Sequence, residues 1–277
     1  MSTPQTLEVP DGVDRTTIET PRGSFAAHVV RVEVPRAHVL LVPGWTGSKE
    51  DFTQVLPLVA AAGFDVTAYD QRGQYETPGS SDADYSLDGF GADAVAVARS
   101  ASDAPSHLLG HSFGGLVAQS AVIADVAAWR SLSLLCTGPA ALGSSPARPL
   151  DRMVAAIDAG VPLAEVQNAV RGAGFGTEPA DIEAFLAERF TRNDRTSLRE
   201  ITQHLIDAPD RLDQVAASGL PVWVGRGERD DAWPYAVQES MAERLGTTVR
   251  LIDAEHSPGV QNPQGLADAW LPFLTSH

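Results

Sequence analysis

The residues with the clearest chemical potential surround Ser112, in the run Gly110-His111-Ser112-Phe113-Gly114-Gly115. Apolar residues precede this run, as at the end of a strand, and residues 116–124 have the composition of a helix. A strand-to-helix turn that is tight enough to expose a serine hydroxyl strains the backbone at the serine, and glycines two positions before and after it relieve the crowding. The run therefore predicts that Ser112 is a nucleophile. The alternative is a glycine-rich turn that serves packing alone.

A serine hydroxyl is a weak nucleophile unless a base removes its proton, so a histidine is required. Of the seven histidines, His256 lies in the loop directly after the last predicted strand, at the strand edge where Ser112 is expected. His111 adjoins the serine, but we expect its side chain to point to the other side of the turn. The others lie in predicted strands or at their starts, in a helical insertion, or at the end of the sequence: His28, His38, His107, His204 and His277. His256 is the predicted base, against the alternative of a plain surface histidine.

The base needs a carboxylate that fixes its tautomer and stabilises the imidazolium. The residues after the strand predicted at Leu132 to Cys136 contain no carboxylate, whereas Asp230 and Asp231 both follow the strand predicted at Pro221 to Val224. Either aspartate qualifies by position. The other one is expected to cap the helix that opens at Pro234, because Asp before Pro is common at helix starts.

The elements that must position these residues alternate along the chain. The first two predicted strands form an antiparallel pair, and each later strand is followed by a helix. Strands that alternate with helices predict an α/β fold with a mostly parallel central sheet flanked by helices on both faces. The predicted strands are Thr16 to Thr20, Phe25 to Val32, His38 to Val42, Phe64 to Tyr69, His107 to Leu109, Leu132 to Cys136, Pro221 to Val224 and Thr248 to Ile252. The predicted helices are Glu50 to Ala62, Leu87 to Arg99, Phe113 to Ala124, Pro234 to Leu245 and Gln264 to Leu274.

The alternation stops between residues 143 and 213, where the sequence is helical without intervening strands. This pattern predicts a core domain of residues 1–142 and 214–277, with residues 143–213 inserted as a helical cap or lid at the carboxyl edge of the strands. The alternative is extra helices on one face without contact to a site. The run Gly172-Ala173-Gly174-Phe175-Gly176 inside the insertion has no strand before it, so we interpret it as a loop and expect no dinucleotide cofactor.

Composition and charge exclude several classes of function. The chain has 277 residues with 36 acidic and 20 basic ones, a net charge of −16, so nucleic acids and anionic membranes are unfavourable partners. The single cysteine, Cys136, cannot form an internal disulfide or a thiolate metal cluster, and we expect it to be a buried core residue. Residues 1–14 lack the features of a signal peptide, and no apolar run is long enough for a membrane span. We therefore expect a soluble cytoplasmic protein, with no indication of oligomeric state.

Four motifs in order resemble the α/β-hydrolase family, from about Thr16 to the end of the chain. They are Leu41-Val42-Pro43-Gly44-Trp45 for the oxyanion loop, Asp70-Gln71-Arg72-Gly73 for the loop after the next strand, Gly110 to Gly114 for the nucleophile elbow, and Gly227-Glu228-Arg229-Asp230 with Pro234 for the acid loop. The Ser-Asp-His order along the chain is also that of the family. The resemblance implies that Asp230 is the acid rather than Asp231. It also implies that the backbone N–H groups of Trp45 and Phe113 form the oxyanion hole.

Two departures limit what the resemblance implies about the substrate. Pro43 stands where many members have histidine, and the loop after Gly73 lacks the second glycine that relatives often carry near Tyr75. The serine at position 112 separates the chain from the similar dehalogenases and epoxide hydrolases, which have aspartate there.

These observations lead to the hypothesis of a serine hydrolase that cleaves a small or medium, largely apolar carboxylic ester and needs no metal or organic cofactor. Trp45, Phe113 and Trp233 are predicted to form the pocket wall because they adjoin the candidate catalytic positions. Cleavage of a lactone, a thioester or a carbon–carbon bond of a diketone would use the same triad. Two further alternatives are a slow-turnover binding or receptor protein and cofactor-free oxygenation.

Overall fold

The central sheet places the carboxyl ends of its parallel strands along one edge. The structure is a computed structural model and describes residues 2–80, 82–143, 149–171 and 176–277. Over these residues it has an eight-stranded sheet in the order β1-β2-β4-β3-β5-β6-β7-β8, in which β2 is antiparallel to both of its neighbours, β1 and β4, and all other pairs are parallel. The strands are β1 (Asp14–Thr20), β2 (Gly23–Val30), β3 (His38–Val42), β4 (Asp65–Tyr69), β5 (Ser106–His111), β6 (Trp129–Leu135), β7 (Val222–Gly227) and β8 (Val249–Ile252). The α/β class expected from the alternating pattern is confirmed.

Helices cover both faces of the sheet. One face packs against α1 (Leu56–Ala61) and α11 (Pro263–Ser276). The other packs against α2 (Leu87–Ala101), α3 (Phe113–Ala124) and α9 (Tyr235–Arg244). Strands β3 and β5 are buried at every position, as is typical of central parallel strands, and their apolar residues are at positions 39–42 and 108–109. The remaining short helix of the core, α10 (Pro258–Gln261), follows the loop after β8.

The helix predicted from Glu50 to Ala62 is interrupted. A 3-10 turn occupies Lys49–Phe52, and α1 begins only at Leu56, with Pro57 in its first turn. Proline has no N–H to donate to the preceding turn, so a continuous helix cannot pass through this position. The break allows the 3-10 turn to contact the loop after β4.

Lys49, the sole lysine of the sequence, joins this 3-10 turn to the loop after β4. Its ammonium group lies 3.0 Å from carboxylate oxygens of Asp70 and Glu50 and 2.5 Å from Glu76, and the residue is 2% exposed. The backbone N–H of Lys49 also donates to Asp70, at 2.7 Å. A buried charge requires such pairing, since leaving it unpaired in the interior would cost several kcal/mol.

A layer of polar side chains crosses the amino-terminal half of the sheet. His38 on β3 bonds the hydroxyls of Ser106 and Thr67, at 2.8 and 2.9 Å, so both ring nitrogens are satisfied. His107 on β5 bonds the Ser131 hydroxyl at 2.7 Å. Burial lowers the pKa of both histidines to about 4, because the charged ring would lose its hydration. These histidines are therefore neutral structural groups.

Helices between β6 and β7 lie against loops at the carboxyl edge of the sheet. The indole N–H of Trp45 donates to Thr202 at 3.0 Å, and the Ser197 hydroxyl donates to the carbonyl of Arg72 at 2.7 Å. The described helices here are α4 (Leu150–Asp158), α5 (Leu163–Arg171), α6 (Ala180–Thr191), α7 (Arg195–Asp207) and α8 (Leu212–Ala216). Residues 144–148 and 172–175 of the predicted insertion, including Gly172 to Phe175, lie outside the described residues. Within the described ranges, no helix is both long and apolar enough to cross a bilayer.

Candidate active site

Ser112 occupies a strained turn between β5 and α3. Its φ of 56° and ψ of −121° fall in a region that non-glycine residues rarely adopt, at a cost on the order of 1–3 kcal/mol. One backbone and one side-chain hydrogen bond hold the turn: Ser112 N–H donates to the Leu135 carbonyl at 2.9 Å, and the Thr137 hydroxyl donates to the Ser112 carbonyl at 2.8 Å. The strain projects the hydroxyl from the end of β5.

The glycines on either side of Ser112 allow a very close approach of backbone segments. A Cβ at Gly110 would lie 2.1 Å from the carbonyl oxygen of Gly114. A Cβ at Gly114 would lie 2.3 Å from the carbonyl oxygen of Val42 at the end of β3. Both distances are far below van der Waals contact, so the turn requires glycine at both positions.

His256 connects Ser112 to a carboxylate. Its Nε2 lies 3.0 Å from the Ser112 Oγ, and its Nδ1 lies 2.7 Å from Asp230 Oδ1. The three residues come from the ends of β5, β7 and β8, which meet at the carboxyl edge of the sheet. Because a carboxylate only accepts, Nδ1 carries the proton and Nε2 is free to accept the hydroxyl proton of Ser112.

Asp230, rather than Asp231, is the carboxylate in this chain of bonds. Its side chain is inaccessible to solvent and accepts from the backbone N–H of Ala232 and the amide of Gln238, both at 3.1 Å. Burial alone would raise the pKa of Asp230, but the hydrogen bond and charge of His256 and these two donors outweigh it and hold the pKa below its usual range. Asp230 is therefore ionised, and exposed Asp231 lies at the wall of the adjoining cavity.

His111 lies beside His256, and not on the other side of the turn. Its Nε2 is 2.7 Å from the backbone carbonyl oxygen of His256, and the two rings are 5.1 Å apart between centroids. Burial lowers the pKa of His111 to about 3, so the ring is neutral. This contact is not evident in the sequence, because a residue on β5 meets the loop after β8 only through the order of the strands in the sheet.

A tight turn places Gly44, the residue before Trp45, against Ser112. The N–H of Gly47 donates to the Gly44 carbonyl at 3.1 Å, and Thr46 has a φ of 56°. A Cβ at Gly44 would lie 3.0 Å from the Cβ of Ser112, so the turn and the nucleophile turn are in contact. The N–H of Phe113 is the first of α3 and has no partner within the helix.

Two buried glutamines hold this turn from behind. Gln71 donates its amide N–H to the carbonyl of Pro43 at 3.0 Å, and Gln74 donates to the carbonyl of Gly44 at 3.1 Å. Both are 1% exposed. The sequence assigned neither glutamine a role, although Gln71 belongs to the Asp70 to Gly73 motif, because only the tertiary structure brings the loop after β4 to the loop after β3.

A cavity of about 300 Å³ opens at Ser112. Its apolar walls come mainly from the Trp45 turn and from residues flanking or within the helices between β6 and β7. The described residues that line it are Ser2, Gly44, Trp45, His111, Ser112, Leu142, Pro149, Leu150, Leu205, Asp231, Ala232 and His256. This composition suits a mainly apolar ligand with one reactive polar group at the floor.

Two of the three residues expected in the pocket wall lie elsewhere. The Phe113 ring is fully buried and packs against Phe90 and, stacked, against His204. Trp233 is 2% exposed, covers Gly138 and donates its indole N–H to the carbonyl of Ala140 at 3.0 Å. Neighbours in sequence point in different directions at a helix start, so proximity to a site residue does not place a side chain in the cavity. Trp45 does line it.

His111, Cys136 and His256 place potential metal-binding atoms within 4.8 Å of one another, but they are poorly suited to a metal. Both nitrogens of His256 are engaged with Ser112 and Asp230, and Nε2 of His111 faces a carbonyl oxygen, so that nitrogen carries a proton. Cys136 is fully buried, and burial raises the pKa of its thiol, which favours the protonated form. Cys136 is therefore a core residue.

Comparison with known proteins gives one family and one fold. A family model described as serine aminopeptidase, S33, matches residues 33–256. A protein named putative carbamate hydrolase RutD, from Variovorax paradoxus (strain S110), is 33% identical over 129 residues, which cover 47% of this chain and 48% of that protein. The match thus spans about half the length of this curated relative.

Solved structures share the fold over nearly the whole chain. A hydrolase from Pseudomonas aeruginosa PA01 is 23% identical with a TM-score of 0.77, covering 94% of this chain and 98% of the other. The enol-lactonase from Burkholderia xenovorans LB400 is 16% identical with a TM-score of 0.77, covering 94% and 100%. At these identities the likeness is one of architecture.

Proposed function

The chain belongs to the α/β-hydrolase family described as serine aminopeptidase, S33, and is thus a hydrolase; from this premise we propose that it cleaves a small or medium, largely apolar carboxylic ester through an acyl-enzyme. The observation that carries the proposal is the chain of bonds from Ser112 through His256 to Asp230, at 3.0 and 2.7 Å, at the floor of a largely apolar cavity.

Acylation begins at Ser112. His256 Nε2 accepts the hydroxyl proton as Oγ attacks the ester carbonyl carbon, and the imidazolium that forms is stabilised by the ionised Asp230. Asp230 also keeps the proton on Nδ1, so that Nε2 is the nitrogen that faces the serine. The hydrogen bonds from Gln238 and Ala232 hold the carboxylate in this orientation.

The tetrahedral intermediate carries a negative charge on the former carbonyl oxygen. We assign its stabilisation to the N–H groups of Phe113 and Trp45. The contact between the Gly44 turn and Ser112 supports this assignment, as does the position of Phe113 at the first N–H of α3. Fixed donors of this kind are often the largest single contribution to catalysis, and removal of one costs about 10²–10³-fold in kcat.

Collapse of the intermediate releases the alcohol, which takes its proton from His256. A water molecule then loses its proton to His256 and attacks the acyl-serine, and the carboxylic acid leaves as Ser112 regains its proton. Every catalytic group in these steps is a side chain or backbone amide of the chain itself.

The substrate class follows from the cavity. A volume of about 300 Å³ with walls from Trp45, Leu142, Leu150 and Leu205 favours apolar groups of modest size. Because α4 and α7 contribute to these walls, we propose that residues 143–213 act as a cap over the core formed by residues 1–142 and 214–277.

Carbamate hydrolysis is the second candidate, favoured by the similarity to the protein named putative carbamate hydrolase. The same groups could attack a carbamate carbonyl. Leu142, Leu150 and Leu205 in the cavity wall suit a substrate with an apolar substituent, which is why the apolar ester is the first candidate.

The test is turnover of a panel: p-nitrophenyl esters of increasing acyl length, a lactone, a thioester, a β-diketone, an aryl carbamate and an aminoacyl p-nitroanilide. We expect the wild type to be fastest on short and medium esters. Ser112→Ala should lose about 10⁴-fold or more in kcat, whereas Ser276→Ala, the same change at an exposed serine of α11, should match the wild type. Mass spectrometry of a quenched reaction should find the acyl group on the peptide that contains Ser112.

Activity that survives Ser112→Ala would overturn the mechanism. A wild type that prefers the carbamate, the diketone or the anilide would overturn the ester assignment while leaving the triad in place. A wild type that binds an apolar probe in the cavity but hydrolyses no member of the panel would favour the alternative of a slow-turnover binding or receptor protein.

A further inference from the structure

Residues 2–9, before β1, form a segment without regular secondary structure that reaches the active-site cavity. Ser2 is 8% exposed and lines the cavity together with Ser112 and His256. The segment belongs to none of the motifs that the sequence analysis singled out. Its position at the cavity therefore needs a separate explanation.

A buried ion pair fixes Ser2. Arg189 on α6 donates one guanidinium N–H to the Ser2 carbonyl at 2.5 Å and another to Asp51 at 2.8 Å. Arg189 and Asp51 are 1% and 3% exposed. Arg189 thus joins Ser2 to the 3-10 turn that follows the Trp45 turn. An arginine is costly to bury unless its donors are satisfied, so this arrangement holds the carbonyl of Ser2 firmly.

The side chain of Ser2 is fixed independently. Its hydroxyl lies 3.1 Å from the hydroxyl of Ser257, the residue after His256. Ser2 is therefore held between α6, the 3-10 turn and the loop that carries the candidate base.

The middle of the segment is held far more loosely. Cavities of about 430 and 330 Å³ lie along it, and Gln5, Thr6 and Glu8 are exposed. Leu7 makes an apolar contact with a small cluster on α6, and the Glu8 carbonyl accepts a bond from Gln54 at 2.9 Å. Pro4 is buried, and Val9 packs against the core on the α1 face of the sheet. These contacts and the buried ion pair at Ser2 place residue 2 at the cavity as a defined wall.

We propose that Ser2 is a specificity-determining residue, which closes one side of the substrate cavity and limits the length of the apolar group that the enzyme accepts. The inference rests on the proposed ester hydrolysis. It assigns to the segment before β1 a role in substrate selection that is separate from the chemistry at Ser112.

The test attaches a small or a large group to residue 2 through a reducible disulfide, so that the group occupies part of the cavity. In Ser2→Cys, methyl and benzyl methanethiosulfonate would each form a mixed disulfide, as the thiolate attacks the sulfur and methanesulfinate leaves. Cys136 is fully buried, so residue 2 is the reactive thiol. Two ratios of kcat/KM are measured. The first compares p-nitrophenyl octanoate with p-nitrophenyl acetate and varies the acyl group. The second compares octyl acetate with methyl acetate and varies the alcohol. Gln5→Cys, at an exposed residue of the same segment, is labelled in parallel as the control.

We expect the benzyl adduct at residue 2 to lower the long-to-short ratio about tenfold or more in at least one series, because pocket contacts of one methylene already change specificity by 10-fold or more. The methyl adduct should have a smaller effect, dithiothreitol should restore the ratio, and the adducts at residue 5 should leave it unchanged. A ratio that stays constant in both series, in an active and fully labelled Ser2→Cys variant, would overturn the inference. So would failure of the thiol introduced at residue 2 to react. Absence of ester turnover in the unlabelled wild type would instead contradict the proposed function.

Discussion

The ring of His111 donates its Nε2 proton to the backbone carbonyl of His256, across 2.7 Å. A carbonyl oxygen only accepts, so the contact fixes the tautomer of His111. The residue before the candidate nucleophile thus supports the loop that carries the candidate base, and the turn at the end of β5 and the loop after β8 are held together at the point where Ser112 and His256 meet.

The first prediction concerns His111. His111→Ala removes the donor and leaves space beside the His256 loop, so we expect kcat/KM to fall about 10- to 100-fold. His111→Gln should recover most of the activity, because its amide N–H can take the place of Nε2–H. Since His111 is neutral down to about pH 3, the pH–rate profile of His111→Gln between pH 5 and 9 should overlay that of the wild type.

Equal losses in the two His111 variants would mean that the ring contributes through packing alone. A shift of the pH profile in His111→Gln would contradict a purely positional role.

The second prediction separates the two neighbouring aspartates. Asp230→Asn removes the charge that stabilises the imidazolium and permits the wrong tautomer of His256, so kcat should fall by about 10⁴-fold. Asp231→Asn is the matched control: Asp231 is exposed and takes no part in the bond to His256, so kcat should change less than about threefold. Activity retained in the first variant and lost in the second would transfer the role to Asp231.

The third prediction tests the support of the Trp45 turn. Gln74→Leu removes the bond to the Gly44 carbonyl, so the turn should lose its fixed position over Ser112. We expect kcat to fall about 10-fold with little change in KM, because an oxyanion donor acts on the transition state rather than on the bound ester. A rise in KM at constant kcat would instead indicate a role in substrate binding. Gln264→Leu, at an exposed position of α11, serves as the control.

The fourth prediction concerns acid sensitivity. His38 has a pKa of about 4 in the folded protein, against about 6.5 when unfolded, so only the unfolded chain takes up its proton in this interval. The stability that depends on neutral His38 is complete above pH 6.5 and is lost as the pH falls towards 4, by on the order of 3 kcal/mol. Urea unfolding between pH 7.5 and 4 measures this loss.

In His38→Gln the side chain at position 38 does not titrate. The free energy of unfolding of this variant should therefore fall less steeply over the same pH range, even if it is lower at pH 7.5. Parallel curves for the two proteins would show that His38 does not carry the effect. His107 and His28, whose pKa burial also lowers to about 4, are present in both proteins, so the comparison subtracts most of their contribution.

Local pattern was enough to predict the central sheet and to single out Ser112 and His256. Ser112 directly follows β5, His256 lies in the loop after β8, and the alternation of strands and helices indicates that the two strand ends share an edge. The preference for Asp230 over Asp231 came from the family resemblance in the sequence, and in the structure Asp230 is the aspartate that is bonded to His256, at 2.7 Å. Pro57 is a local signal for a helix start, and the prediction of a continuous helix from Glu50 to Ala62 did not take it into account.

Contacts between distant segments were beyond such patterns. Gln238 reaches Asp230 from α9, Gln74 reaches Gly44 from the loop after β4, and Ser2 reaches Ser257 across the whole length of the chain. None of these residues has an unusual neighbourhood in sequence. Their roles follow from the way the loops pack at the carboxyl edge of the sheet. That packing depends on the positions of several helices and strands that are distant in sequence.

The enclosure of Lys49 has a practical consequence for labelling. Apart from an α-amino group, the side chain of Lys49 is the sole primary amine of the sequence, and three carboxylates surround it. Succinimidyl esters and other acylating reagents require a neutral, accessible amine, so the folded protein should resist them at this position. The rate of Lys49 acylation, followed by peptide mass spectrometry, would therefore report how often the 3-10 turn and the loop after β4 open, without any engineered probe.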